Sequence, residues 1–396
     1  MLKKIILIIF ISINFISISF AKIVEEVKKI PVNVTNSNGV SDSREIVVTI
    51  WREDSRVKSP YLFLNHGRQS HPTLRKQFER VRYSAQSKYW VQQGFVVIIP
   101  TRVGYGESGV DFDPEDSGSC RTISDFPGQV MPQVQQTKQV LEFALKQLTY
   151  VDTTQGILVG QSYGGLGAIK IASIADEIKG LKGVVNFSGG GHGRPTQLGQ
   201  FGAGTSCDSK GLEKIFAEWS KNKVPTLWFY SPNDKFFGPS DPKDWHASFK
   251  NAGGTGEFIN MPEWRNDGHG TIGDIPNWKP HFDKFLKITG VPFKEIAPPE
   301  SIKTKPTEFA RLDDISKVPS LGSNVNNQER RDRLEDMYKK FLLFPDPTNR
   351  AFLLHTSGSY WYWWGGIDAV QEVMDKCLSK YDTGCKLYAV NQDVVW

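Results

Sequence analysis

The sequence predicts an α/β fold: a doubly wound, mostly parallel sheet within residues 22–295, a linker over 296–325, and a small α+β module over 326–396. Three observations carry this expectation. Short β-rich runs alternate with helical patterns throughout the larger part, which is the order of a sheet covered by crossover helices. Several runs are apolar without a break, Phe95-Val96-Val97-Ile98-Ile99 most clearly, as strands buried on both faces require. One run ends in Gly160-Gln161-Ser162-Tyr163-Gly164 and leads directly into a helical pattern, Leu166-Gly167-Ala168-Ile169.

The chain opens on Met1-Leu2-Lys3-Lys4, an apolar run over 5–20, and Ser19-Phe20-Ala21. A basic start, an apolar stretch and a small-x-small site read as a signal peptide over 1–21, cut between Ala21 and Lys22. The run is shorter than the ~20 residues a spanning helix needs, and no cysteine stands at the cut to carry a lipid. The expectation is a periplasmic or secreted protein with no stable membrane insertion after cleavage; an uncleaved inner-membrane anchor is the alternative. Strands are expected at 44–51, 60–65, 95–100, 155–160, 183–187, 226–230 and 257–261, with helices at 74–93, 130–148, 165–178, 243–251 and 280–289. The stretch 296–319, rich in Pro, Lys and Ser and without apolar period, reads as a connector. A helix is expected over 326–343, with Leu334, Met337, Tyr338, Phe341 and Leu342 on one face. The remainder reads as a β-β-α-β unit: 351–354, the aromatic run Tyr360-Trp361-Tyr362-Trp363-Trp364, a helix over 367–380, and strands at 385–390 and 394–396. A unit of about 50 residues has a marginal core unless a staple or a neighbouring surface supports it.

The charge balance excludes some classes of partner. With 48 basic and 43 acidic residues the formal net charge is +5, and Lys3 and Lys4 leave with the leader. No Lys/Arg stripe stands out, so nucleic-acid binding is not expected. No cluster with metal-ligand spacing is present, Gly189-Gly190-Gly191-His192-Gly193-Arg194 lacks the Lys-Ser/Thr ending of a phosphate loop, and no cofactor is implied. That glycine run follows a strand and is placed to line a pocket. Asn33-Val34-Thr35 matches a glycosylation sequon, a frequent accident. The four cysteines, Cys120, Cys207, Cys377 and Cys385, are even in number behind an export signal, which favours disulfides. Four cysteines admit three pairings; the favoured set is Cys377–Cys385, close in sequence, and Cys120–Cys207, both in loops of the larger domain.

Gly-x-Ser-x-Gly at a strand-to-helix corner points to nucleophilic chemistry, because the sharp turn lifts the Ser162 hydroxyl to the end of a sheet. A serine hydroxyl near neutral pH needs a positioned base, and the base needs an acid to orient it. In sheets with this corner the chain order is Ser, then Asp or Glu, then His. Asp234 follows the apolar run 226–230 in the turn Ser231-Pro232-Asn233-Asp234 and is the candidate acid. His246, His269, His281 and His355 follow the serine at sufficient distance, and His192 precedes the acid. His246 and His281 sit in helical patterns, whereas His269 lies in Asn266-Asp267-Gly268-His269-Gly270, a loop between the last strand and the last helix of the domain; it is the candidate base. Developing charge on a tetrahedral oxygen calls for preorganised N–H donors. Tyr163, directly after the nucleophile, and Arg68, in the loop after 60–65, are the candidates, with His66 given a role in shaping that loop.

These residues resemble the α/β-hydrolase superfamily over 60–290. The likeness is carried by His66-Gly67, Arg102-Val103-Gly104-Tyr105-Gly106-Glu107-Ser108, the Gly160–Gly164 corner, Asn233-Asp234 and Gly268-His269-Gly270. Within it the chain is most similar to dienelactone-hydrolase-like and peptidase-like serine hydrolases, although dienelactone hydrolases proper use a cysteine where this chain has Ser162. The resemblance implies an α/β-hydrolase fold and an esterase or peptidase-type hydrolase rather than lactone cleavage. With the leader, the expectation is an exported serine hydrolase acting on a small-molecule or peptide substrate, an esterase first and a peptidase of the same fold second. The third reading is a catalytically silent binding protein, its C-terminal aromatic module doing the work. The last segment resembles a small module at the C-terminal ends of exported bacterial proteins, and that likeness brings no catalytic residues. Its Trp361, Trp363 and Trp364 suit either a small-domain core or a face for a glycan or partner, and the general burial of aromatics favours the core.

Overall fold

The computed structural model describes residues 22–69, 72–76, 80–116, 126–194, 204–264, 267–297, 320–323, 325–344, 350–364, 369–381 and 383–395. The leader, Cys120 and most of the connector lie outside them, and so does the Cys120–Cys207 pairing.

Ten strands and seven helices precede the connector among the described residues. Eight of the strands form one sheet: β1 (Ile23–Thr35), β2 (Ser41–Glu53), β3 (Ser59–Asn65), β4 (Val96–Pro100), β5 (Val151–Gln161), β6 (Leu181–Phe187), β9 (Thr226–Tyr230) and β10 (Gly256–Asn260). Their order is β1-β2-β4-β3-β5-β6-β9-β10. From β4 onward all neighbours run parallel, while β2 is antiparallel to both β1 and β4. β3, β4, β6 and β9 are almost wholly buried, and so is β5 from Gly156 onward, which is why these stretches are apolar without alternation. The short pair β7 (Gly193–Arg194) and β8 (Thr205–Ser206) stands apart.

Helices cover both faces. On one lie α3 (Phe126–Gln147), α4 (Tyr163–Ser173), α5 (Ser209–Glu218) and α6 (Asp241–Asn251), whose Val130, Leu166, Leu212 and Phe249 share a core with alternate residues of the sheet. On the other lie α2 (Ser84–Gln92) and α7 (Ile275–Thr289), through Tyr89, Trp90, Trp278 and Phe282. The sheet is therefore doubly wound, and the C-termini of its parallel strands lie along one edge.

The expected helix over 74–93 is instead two pieces, α1 (Pro72–Lys76) and α2, with Tyr83 between them at φ 44°. Residues 80–82 are taken by other partners: Val81 N–H donates to Thr101 Oγ1, Val81 O accepts from Thr49 Oγ1, and Arg80 and Arg82 pair with Glu25. Strand β1 and helix α5 were not among the expected elements. β1 runs in register with β2 from Ile23↔Glu53 to Thr35↔Ser41, burying Ile30, Val32 and Val34 on one face. Its exposed Lys29 and Pro31 suit a sheet edge that must not recruit another strand.

The C-terminal module is a second unit. Helix α8 (Gln328–Leu342) precedes an antiparallel sheet of order β12-β11-β13-β14, made of β11 (Arg350–His355), β12 (Tyr360–Trp364), β13 (Cys385–Val390) and β14 (Asp393–Val394). Leu334, Tyr338 and Phe341 of α8 pack on Phe352 and Tyr388, and α9 (Ala369–Lys380) covers the other face with Val370, Val373 and Cys377. Cys377 and Cys385 form a disulfide from helix to sheet. Trp361 and Trp363 pack on the α9 side of this core, half-buried. The module docks on the larger domain: Lys88 Nζ of α2 donates to Leu378 O at 2.7 Å and Arg82 Nη2 to Ser379 O at 3.3 Å.

Candidate active site

Ser162 sits between β5 and α4 at φ 57°, ψ −125°, a backbone state that an L side chain rarely adopts. The turn is held from several directions. Ser162 N–H donates to Phe187 O at 2.9 Å, and Ser162 O accepts from the amides of Gly165, Leu166 and Gly190. Glycine is required on both sides of the corner: a Cβ on Gly160 would stand 2.1 Å from Gly164 O, and one on Gly164 would stand 2.2 Å from Asn65 O. The pattern that singled out Ser162 is thus a pattern of close backbone approach.

His269 Nε2 lies 2.8 Å from Ser162 Oγ and accepts its hydroxyl proton, while His269 Nδ1–H donates to both oxygens of Asp234 at 3.0 and 3.1 Å. Asp234 follows β9 by a tight turn, and its Oδ1 also accepts the amides of Phe236 and Phe237. His269 rides a short 3-10 turn, Gly268–Gly273, capped by Asp267, whose carboxylate accepts His269 N–H at 2.9 Å. Both His269 and Asp234 are almost wholly buried. Burial works against the imidazolium, but the charge and hydrogen bond of Asp234, then the charge of Asp267, outweigh it and raise the His269 pKa above its ordinary value.

The other histidines lie elsewhere. His246 is on α6 among Trp228, Phe249 and Phe258, where burial pulls its pKa down to about 4. His281 is on α7, and His355 stacks on Tyr381 in the module. His192 stands at φ 53° with its ring 3.3 Å from Gln129 Oε1 and edge-on to Phe126.

Tyr163 is the first residue of α4, where amides lack an intrahelical acceptor. Arg68 lies in the loop after β3, and that loop touches the serine: a Cβ on Gly67 would stand 3.1 Å from Ser162 Cβ. The Arg68 side chain is engaged by Asp113 through two bonds of 3.0 and 2.8 Å. The Arg68 backbone N–H meets no backbone acceptor among the described residues. The structure thus brings Ser162, Asp234 and His269 into one hydrogen-bonded line, with Tyr163 next to the serine in sequence and the loop before Arg68 close to it.

Some residues that hold the site were not singled out from sequence. Gln161 links two of its parts, donating from Nε2 to His269 O at 3.2 Å and accepting at Oε1 from Tyr83. Phe236 stacks on the His269 ring with centroids 4.4 Å apart. Gly190, in the glycine run expected from sequence to line a pocket, donates its amide to Ser162 O beside the nucleophile. For Gln161 and Phe236 the signal was adjacency to the motif residues, which by itself assigns no role. No group of His, Cys, Asp and Glu suited to a metal ion occurs among the described residues, and no helix among them is long and apolar enough to cross a membrane.

An in-line hydroxyl, imidazole and carboxylate at these distances can pass a proton from Oγ to Nε2 while the carboxylate steadies the imidazolium. Two amides at a helix start and an adjoining loop can receive negative charge.

No protein-family profile matches the chain, and no curated protein is similar to it. Solved structures are similar at low identity. A Klebsiella pneumoniae protein described as a dienelactone hydrolase is 16% identical, with 68% of this chain and 99% of that chain covered and a TM-score of 0.42. An esterase of Pyrococcus furiosus is 16% identical over 66% of this chain and 90% of its own, with a TM-score of 0.40. The acylaminoacyl peptidase of Pyrococcus horikoshii is 12% identical over 68% of this chain and 43% of its own, with a TM-score of 0.43. It is the chain's own strand order, with the second strand antiparallel, and the glycine-flanked turn after β5 that make this an α/β-hydrolase fold.

Proposed function

We propose that this chain is an exported serine hydrolase that cleaves a carboxylic ester through an acyl-enzyme intermediate. The observation that carries the reading is the 2.8 Å contact from Ser162 Oγ to His269 Nε2, with Asp234 on the opposite ring nitrogen. Ser162 Oγ attacks the carbonyl carbon as its proton passes to His269. The resulting oxyanion is received by the amides of Tyr163 and Arg68. Collapse expels the alcohol, which takes the proton from His269 and leaves Ser162 acylated. A water molecule, deprotonated by His269, attacks the acyl carbon; release of the acid returns the proton to Oγ. Asp234 keeps the proton of neutral His269 on Nδ1, so that Nε2 faces the serine. Export rests on the leader over 1–21, and a role for the module in holding a glycan or partner rests on its aromatic strand.

A panel of p-nitrophenyl esters set against aminoacyl and prolyl amides tests the reading. Ester turnover that is lost in Ser162→Ala supports it. Preferred turnover of the amides moves the assignment to a peptidase, and turnover of neither by folded protein overturns it.

A further inference from the structure

The loop bearing the Arg68 amide is held by a buried charge cluster that takes no part in the proton transfers. Arg102 and Glu115 are both fully buried and paired, Nη2 to Oε2 at 3.2 Å and Nε to Oε1. The remaining Arg102 donors do not go to the sheet or to solvent. Nη1 donates to His66 O at 2.7 Å and Nη2 to Gly67 O at 3.3 Å. His66 completes the arrangement: its Nδ1–H donates to the same Gly67 oxygen at 2.7 Å, and its Nε2 accepts the Arg102 amide at 3.2 Å. Further out, Tyr105 O–H donates to Glu115 Oε2 and accepts Gln69 N–H, each at 3.3 Å.

The consequence is geometric. No cis peptide occurs among the described residues, and in a trans peptide the carbonyl of one residue and the N–H of the next point in opposite directions. Two donors fix the Gly67 oxygen on the Arg102 side, so the Arg68 N–H must face the other way. Gly67 lies close to the nucleophile, since a Cβ on it would stand 3.1 Å from Ser162 Cβ. A buried ion pair also contributes little net stability compared with apolar packing of the same volume, so packing alone gives no reason for a guanidinium that spans two consecutive loop carbonyls.

We propose that Arg102, with Glu115 and His66, is a positioning group for the oxyanion loop, pinning the His66 and Gly67 carbonyls so that the Arg68 amide is preset toward the oxygen of the tetrahedral intermediate. This rests on the serine-hydrolase reading given above. A donor fixed before the reaction needs no reorganisation as charge develops, which is the condition under which such donors are effective.

Arg102→Lys keeps the charge but replaces the planar fork with a single ammonium that cannot reproduce its paired contacts. The readouts are kcat and KM on a p-nitrophenyl ester, and inhibition by phenylboronic acid, whose tetrahedral adduct on Ser162 places an oxygen where the intermediate's would lie. Misplacing the amide should lower kcat on the order of 10- to 100-fold. KM should stay within about threefold, because ground-state binding is not altered, and phenylboronic acid should weaken by the same factor as kcat. His66→Phe, which leaves the ion pair in place and removes the ring donor on Gly67 O, should move the same quantities less, and it carries the test if Arg102→Lys does not fold. A folded variant whose kcat and boronate inhibition stay within about twofold of wild type, or whose loss falls in KM alone, overturns the proposal. Fluorophosphonate labelling separates the two levels. Wild type labelled at Ser162 with unaffected variants rejects the positioning role only. Folded wild type that is not labelled rejects the hydrolase reading, and the positioning role with it.

Discussion

Burial and charge act in opposite directions on the His269 imidazole. Desolvation disfavours the imidazolium, and the carboxylates of Asp234 and Asp267 more than restore it, so its pKa lies above the ordinary value of 6.5. His246, equally a histidine among aromatics but without a carboxylate, goes the other way. The raised value fixes the sign of a pH effect. The neutral ring is the base, so activity requires pH above the raised pKa, and kcat/KM should fall as pH drops through it. Asp267→Asn keeps an oxygen to accept His269 N–H but removes a negative charge. It should shift the acid limb of the kcat/KM profile to lower pH; a limb that stays in place or moves upward would show that Asp267 does not act on the ring. At this scale the sequence was most legible where the chemistry dictates an order along the chain, as for Ser162, Asp234 and His269. It was least legible for Gln161 and Phe236, whose contacts with His269 are made only when β5, β9 and the His269 turn meet.

The element that decides the site is the corner between β5 and α4. It was readable because close backbone approach leaves only glycine at Gly160 and Gly164, and that restriction shows in the residues themselves. Gly164→Ala puts a Cβ against Asn65 O and His66 O. Since those are backbone atoms that cannot swing aside, the variant should lose about 1–3 kcal/mol of stability to overpacking and have reduced kcat, read by thermal unfolding and ester turnover. A variant as stable and as active as wild type would mean that the corner is looser than the contacts indicate. The edge strand β1 and the interrupted helix near residue 80 were not readable, for related reasons. β1 gains its partners from β2 over its whole length, and residues 80–82 are drawn out of helix by Thr49, Thr101 and Glu25, all distant in sequence. Local propensity carries no record of such partners.

At the scale of the whole molecule, two units are joined face to face. The double winding was legible because buried strands and amphipathic helices carry different periods. The docking of α9 on α2 was not, since it is made by bonds between residues far apart in sequence: Arg82 and Lys88 to carbonyls near the end of α9, and the Ala85 amide to Asp375. The module is small, and the Cys377–Cys385 bridge ties its helix to its sheet. The double variant Cys377→Ser, Cys385→Ser should cost the module about 2–4 kcal/mol, seen by calorimetry as a transition that moves to lower temperature. An unchanged transition would show that the cores on the two faces of its sheet, built on Phe352 and on Val373, suffice without the bridge. The larger domain contains every residue assigned to the reaction, so its chemistry is tested apart from the module. The most direct measurement is intact-mass analysis after treatment with a fluorophosphonate. The account predicts one adduct per wild-type chain, mapped to Ser162, and none on Ser162→Ala; folded wild type that remains unmodified, or an adduct that persists in Ser162→Ala, contradicts it.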